Sequence, residues 1–276
     1  MTATDPGRGG RRGHRPPPRR VEVVDKERLT PRLVSILFGG EALRGFPQPV
    51  PTAHIKLFLP DADGRLHAPV AGPDGLEWPD GRPTMRTYTP RRYDADANTL
   101  EVWFVLHGEG PASAWAERAA PGDLVAIGGP GGRFTLDPDA SPWWIAGDES
   151  ALPAIATLIE ALPETATARF HLEVDSPVDS PADLVTLPEH PGIELLWHCR
   201  ADAPAGTQPG DLLVRALQDD DVSPAAYLWA GCEASAVRRI RSHALDVRSL
   251  PRDHVTTRGY WRVGEANHPD HDFGED

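Results

Sequence analysis

The sequence predicts two domains in tandem, a β-barrel followed by an α/β domain on a parallel sheet. Three features point to it. The first half offers short apolar runs broken by Gly- and Pro-rich connections, as in VEVVDKERLTPRLVSILFGG, HIKLFLP and LEVWFVLH, the pattern of a small barrel. The second half alternates apolar strand runs with helical stretches, from WWIAGDESALPAIATLIEAL to AAYLWAGCEASAVRRIRSHAL, and such alternation builds parallel sheets. A length of 276 residues suits two domains of ordinary size.

Residues 1–19 read as a disordered basic tail: the first twenty positions hold six arginines against Asp5, with Pro16 to Pro18 and several glycines, too little apolar matter to offset ordering. No apolar segment follows Arg11 and Arg12, so the pair makes no export signal. The barrel spans 20–138. One helix interrupts it, Ala112 to Ala119, started by Gly110 and Pro111 and stopped by Pro121-Gly122. The α/β domain spans 139–265, with strands in WWIAGD, ARFHLEVD, IELLWHCR and AAYLWAG. In a parallel sheet ligands gather at the carboxyl ends of strands, so Gly147 to Ser150, Asp175 to Pro177, Arg200 and Gly231 to Glu233 are expected to line one crevice. No G-x-G-x-x-G follows the first of these strands, so a dinucleotide does not follow from the pattern alone. Residues 266–276 read as a loose acidic tail whose His268 and His271 bind no metal.

A net charge of -13 argues against nucleic acid and against an anionic membrane surface as partners. No apolar run approaches the roughly 18 residues of a spanning helix, and the expected location is the cytoplasm. Cys199 and Cys232 are the two cysteines; without histidine partners at zinc-like spacing they are expected as reduced thiols.

The chemistry concentrates in Met85 to Arg91, MRTYTPR. On a strand, alternate side chains share a face, so Arg86 and Tyr88 address one ligand. Arginine offers a fork to phosphate, tyrosine a ring for a flat partner, and Thr89 a hydroxyl for a ring nitrogen. Together they suggest flavin, against the plainer reading of a surface arginine and a core tyrosine. The start of the Ala112 helix, with Ser113 and no bulky side chain, suits a phosphate because the dipole and unpaired amides favour an anion; an ordinary capped connector is the alternative.

Five segments, MRTYTPRRYD, LHGEGPASAWAERAAPGD, GPGGRF, AGDESALPAI and Gly259-Tyr260-Trp261-Arg262, resemble in this order the siderophore-interacting protein family, flavoproteins of the ferredoxin reductase-like type. The resemblance covers about residues 20 to 265. It implies an FAD-binding barrel and a nicotinamide-nucleotide-binding α/β domain. It also implies FAD held by Arg86, Tyr88 and Thr89, with Arg91 close by, His107 at the flavin and the Ala112-Ser113 helix start on the pyrophosphate; Tyr88 and Thr89 are then the catalytic candidates. Asp148 and Glu149 stand near the nicotinamide path, one of them equally suited to cap the helix near Ser150. Arg200 falls where related reductases place an arginine for the 2′-phosphate of NADPH, which makes NADPH the expected donor ahead of NADH. Arg238 and Arg239 either assist it or are solvated helix residues. A basic triad for an anionic ferric siderophore falls on Lys56, Arg133 and Arg262. Where the family reads A-G-E, this chain has Ala230-Gly231-Cys232-Glu233, which puts a thiol either near the nicotinamide or in the core as a small filler.

The implied activity carries electrons from NAD(P)H through FAD to the Fe(III) of a ferric siderophore, releasing Fe(II). A hydride brings two electrons together and iron takes one, and flavin mediates between them. Reduced ferredoxin as the donor, a flavin reductase serving a protein electron partner, and a non-catalytic siderophore-binding module are the alternatives.

Overall fold

Strands β1 (Arg19–Thr30), β2 (Leu33–Gly39), β3 (His54–Phe58), β6 (Met85–Tyr88), β7 (Pro90–Asp94), β8 (Thr99–Val105) and β9 (Leu124–Gly131) form an antiparallel sheet in the order β6-β3-β9-β1-β2-β8-β7. A small hairpin, β4 (Val70–Gly72) with β5 (Gly75–Glu77), stands apart. The computed structural model describes residues 16–73, 75–107, 110–132, 134–175, 184–269 and 272–274. The two outermost strands, β6 and β7, are separated in the chain by Thr89 alone. The sheet's two ends are therefore tied by the chain itself and the sheet is rolled into a barrel.

Strand periodicity fills that barrel. Val21 and Val23, Val34, Ile36 and Phe38, Ile55 and Leu57, Leu100, Val102 and Phe104, Val125 and Ile127 all enter one core, every second residue of each strand, as the pleat dictates. Helix α1 (Pro111–Arg118) joins the same core through Ala112, Trp115 and Ala116. Trp115 stacks on Phe38 at 6.2 Å, a core residue rather than a ligand contact. The basic tail expected over 1–19 falls, for residues 1–15, outside the described residues.

The second domain carries β10 (Trp143–Asp148), β11 (Ala168–Val174), β12 (Ile193–Cys199), β13 (Tyr227–Glu233) and β14 (Val255–Trp261), all parallel, in the order β12-β11-β10-β13-β14. Trp143 and Ile145 face α2 (Leu152–Ala161), while Trp144 and Ala146 face α3 (Asp211–Asp219) and α4 (Ala234–Ser242). Layers on both faces explain why β10 reads as an unbroken apolar run. The strand order reverses between β10 and β13, which puts a crevice at their carboxyl ends. At Gly147 an added Cβ would come within 2.7 Å of Ile155 and 2.8 Å of Ala151, so the glycine lets α2 fold back tightly onto its strand.

In the barrel, β9 and the β4-β5 hairpin go beyond the sequence reading, and in the second domain two elements do. The segment around Gly259 is a fifth strand, and α3 is an additional helix. One more difference is a correction. The described part of the C-terminal segment, expected as loose, is packed: the Gly259 amide donates to the Asp272 carbonyl at 2.9 Å, Arg238 donates to the Asp272 carboxylate at 2.9 Å, and the His268 side chain is only 5% exposed. Residues 270, 271, 275 and 276 lie outside the described set.

Candidate active site at the domain junction

Thr89 sits at the seam of the barrel, and Arg86, Thr87, Tyr88 and Thr89 form one wall of a cavity of about 550 Å³ between the domains. The Tyr88 ring leans on Phe104 of the barrel core, centroids 4.4 Å apart. Burial pushes its phenol well above the ordinary value, against a smaller opposing pull from Arg86, so it stays a protonated donor. Arg86 donates one bond to the Met85 carbonyl at 2.9 Å and lines the cavity with its neighbours.

Helix α1 begins at the same wall. Its N-cap, Gly110, makes no side-chain hydrogen bond, and Pro111 opens the helix, so the N-cap residue leaves the first amides uncapped. Ser113 turns its hydroxyl elsewhere, accepting from the His107 amide at 3.1 Å. A Cβ at Gly110 would stand 2.5 Å from His107 Cε1. The glycine thus leaves room for the His107 ring beside an open helix start. An uncapped α1 next to Arg86, with Tyr88, Trp103 and Val105 as a largely apolar wall, fits a flat ring system joined to a diphosphate, the chemistry of FAD.

The facing wall comes from the second domain: Asp148, Glu149, Ser150 and Arg200 at the strand ends, Arg258 to Trp261 from β14, and Arg262 and Glu265 to His268 beyond it. Asp148, 1% exposed, accepts from the Ser150 amide at 2.9 Å, the Glu233 amide at 3.1 Å and Trp261 Nε1 at 2.7 Å. It is the capping member of the acidic pair. Burial pushes its pKa up to about 6; the Ser150 and Trp261 hydrogen bonds oppose this, and the carboxylates of Glu149 and Glu173 add to it. Tyr260, also lining, has its phenol pushed up to about 12 by burial, against Arg258 and a hydrogen bond with Thr89.

Glu149 is the other member. It accepts from the Asp175 amide at 2.6 Å and from Arg200 at 3.2 Å. Arg200 also donates to Glu173 at 2.7 Å and stands 3.5 Å from Asp175. Burial opposes its charge, Glu149 and Glu173 outweigh that, and its pKa is raised. The expected 2′-phosphate arginine therefore lines the cavity with its guanidinium already engaged.

Other expected residues are dispersed. Arg91 does not line the cavity; its guanidinium makes two 2.8 Å bonds to Glu160 of α2 and lies 5.2 Å over Trp103, a clamp between domains. Lys56 donates to Thr87 at 2.7 Å, one residue behind the cavity wall. Arg262 lines the cavity. Arg133, with residues 176 and 177 of the expected crevice, lies outside the described residues. Cys232 is fully buried and faces Gly210 and Ala236; burial holds its thiol well above the usual range, with nearby Asp148 adding to it. It is the small filler, away from the cavity. Arg238 pairs with Asp272 and Arg239 with Asp211.

Arg32, His54, Trp103, Arg258 and His268 also line the cavity and carry no local sequence signal. They are brought there by the barrel seam, by β14 and by the returning C-terminal segment.

Residues 22–134 match the siderophore-interacting FAD-binding domain and residues 140–264 the siderophore-interacting protein domain. The chain is 33% identical to the ferric vibriobactin reductase ViuB of Vibrio cholerae over 260 residues, covering 92% of this chain and 93% of that protein. It is 37% identical over 149 residues to the NADPH-dependent ferric-chelate reductase of Escherichia coli, 54% of this chain and 58% of that one. A siderophore utilization protein from T. fusca superposes with a TM-score of 0.80 at 35% identity, covering 92% and 96% of the two chains. With a barrel and a parallel-sheet domain meeting at one cavity, the chain is a member of the siderophore-interacting protein family, of ferredoxin reductase-like fold.

Proposed function

We propose that the protein is an FAD-dependent reductase of ferric siderophores that draws electrons from a pyridine dinucleotide. The observation that carries it is a cavity in which an uncapped helix start and Arg86 stand on the barrel wall, and the carboxyl ends of a parallel sheet face them. Bound flavin supplies the exchange between a two-electron hydride donor and a one-electron metal acceptor. The chain's own residues do the positioning. Arg86 and the Ala112 and Ser113 amides hold the diphosphate, His107 lies beside it, and Tyr88 and Thr89 border the reacting ring as hydroxyl donors. Lys56, Arg133 and Arg262 receive an anionic ferric chelate. Hard oxygen donors hold Fe(III) far better than Fe(II), so reduction itself frees the metal and the protein needs no iron ligands.

Purified protein is expected to show flavin absorption. On addition of donor and a ferric siderophore, an Fe(II) chelator is expected to develop colour. Changing Lys56, Arg133 and Arg262 together to Ala should raise KM for the siderophore while the donor still bleaches the flavin. A colourless protein that FAD cannot reconstitute overturns the reading. Turnover with reduced ferredoxin, and none with NADH or NADPH, would move the donor from a dinucleotide to a protein.

A further inference from the structure

We propose that the donor side of the cavity selects NADH over NADPH, through the carboxylates of Glu149, Glu173 and Asp175, which hold Arg200 to themselves. The inference rests on the reading that a pyridine dinucleotide binds at the second domain.

Three helical segments begin at the strand ends on this side, and each start is closed by a buried carboxylate of the chain. Asp148 accepts from the Ser150 amide ahead of α2. Glu173, fully buried, accepts from the Gly210 amide at 2.6 Å and the Leu212 amide at 3.1 Å at the start of α3. Glu233, 3% exposed, accepts from the Ser235 and Ala236 amides at 2.6 and 3.0 Å at the start of α4. Unlike at α1, first-turn amides at these starts are already taken by carboxylates of the chain, which puts negative charge where a phosphate would sit. Further negative charge comes from Glu149 and Asp175; the arginines paired with these carboxylates are Arg200 and Arg32, the latter with Asp175, while Arg258 and Arg262 line the wall farther along the chain.

A 2′-phosphate brings a charge of about -1.5 to -2 at neutral pH. For Arg200 to meet it, the guanidinium would leave Glu173, whose carboxylate has no exposure to water and would keep two amide hydrogen bonds but lose its cation, a costly loss for a buried charge. The 2′-hydroxyl of NADH needs no cation. Asp175 follows β11, the second strand of its domain, where an acidic residue accepts from the ribose in NAD-type nucleotide folds. The E. coli relative is named for NADPH; the charge at these strand ends points the other way for this chain.

The test is calorimetric titration of the FAD-loaded protein with the tetrahydro forms of NADH and NADPH, which bind without delivering a hydride. The NADH form is expected to bind tighter by about tenfold, the size of a like-charge contact largely screened by water. Glu149→Gln and Asp175→Asn should each narrow that gap severalfold by tightening the NADPH form, with thermal unfolding confirming that the variants are folded. Equal or tighter binding of the NADPH form by the unaltered protein overturns the inference. An unchanged ratio in both variants removes these carboxylates from it. Binding of neither form, with FAD still held, would sink the dinucleotide reading itself, a separate outcome from a reversed preference.

Discussion

The clamp between Arg91 and Glu160 makes an asymmetric prediction. Both guanidinium bonds are 2.8 Å long, and the two side chains differ sharply in exposure, 6% for Arg91 and 41% for Glu160. Removing the arginine returns a carboxylate to water; removing the glutamate strands a cation that already has no partner at Nε. Charged hydrogen bonds contribute about 1.5–3 kcal/mol each way they are lost, and breaking a buried pair from the exposed side costs about 3–5 kcal/mol. Glu160 is partly solvated, so the lower end applies. Glu160→Ala is expected to destabilise by about 3 kcal/mol and Arg91→Leu by about 2 kcal/mol, part of it the lost contact over Trp103. Urea unfolding followed by tryptophan fluorescence reads both domains, since Trp115 reports the barrel core, Trp143, Trp144 and Trp229 the second domain, and Trp103 the junction where it packs with second-domain residues. In the Glu160 variant the two domains should also unfold less cooperatively. A Glu160→Ala cost below about 1 kcal/mol, or smaller than that of Arg91→Leu, refutes the reasoning.

Gly110→Ala puts a methyl 2.5 Å from His107 and should displace that ring from the α1 start; FAD affinity is expected to fall about tenfold, or 1.4 kcal/mol, measured by flavin fluorescence on binding. Arg86→Gln should weaken FAD about tenfold or more, the loss of a charged phosphate contact, with an unchanged Kd as the contrary result. Asp148 has its pKa raised from 3.8 to about 6, so its contribution to stability is present below about pH 4 and is lost as pH rises through about 6, a change of about 3 kcal/mol. Unfolding free energies at pH 4.5 and 7 should therefore differ in slope between the unaltered protein and Asp148→Asn; parallel profiles count against it.

The fold was legible because its periods are clean. Barrel strands alternate, and the runs WWIA and YLWAG are apolar on both faces because helices cover both. The hidden parts were those set by long-range contact. In α3, polar and charged residues at Asp211, Arg215, Gln218 and Asp219 break the run, and its apolar stripe of Leu213, Val214 and Leu217 has meaning only against α4 and the sheet. The C-terminal segment is polar and acidic, which reads as solvated, yet Asp272 finds Arg238, His268 and the Gly259 amide in one place.

In the site, what could be read was chemistry carried by neighbours in sequence. Arg86 and Tyr88 on β6 and Thr89 directly after it line one cavity, and Gly110-Pro111 declares an uncapped helix because a glycine has nothing to cap with. Asp148 and Ser150 are likewise two residues apart, the spacing of a cap. Glu173 is 37 residues from the Gly210 amide it accepts from, and no local pattern marks it as a cap or as the partner of Arg200. The same residue type therefore meets different surroundings at Arg86 and at Arg200, both lining the cavity. Among the described residues Arg86 donates to a backbone carbonyl, that of Met85, whereas Arg200 is met by three carboxylates. An arginine offers a phosphate only the charge that its own chain has not already neutralised, and that remainder is settled in the tertiary structure.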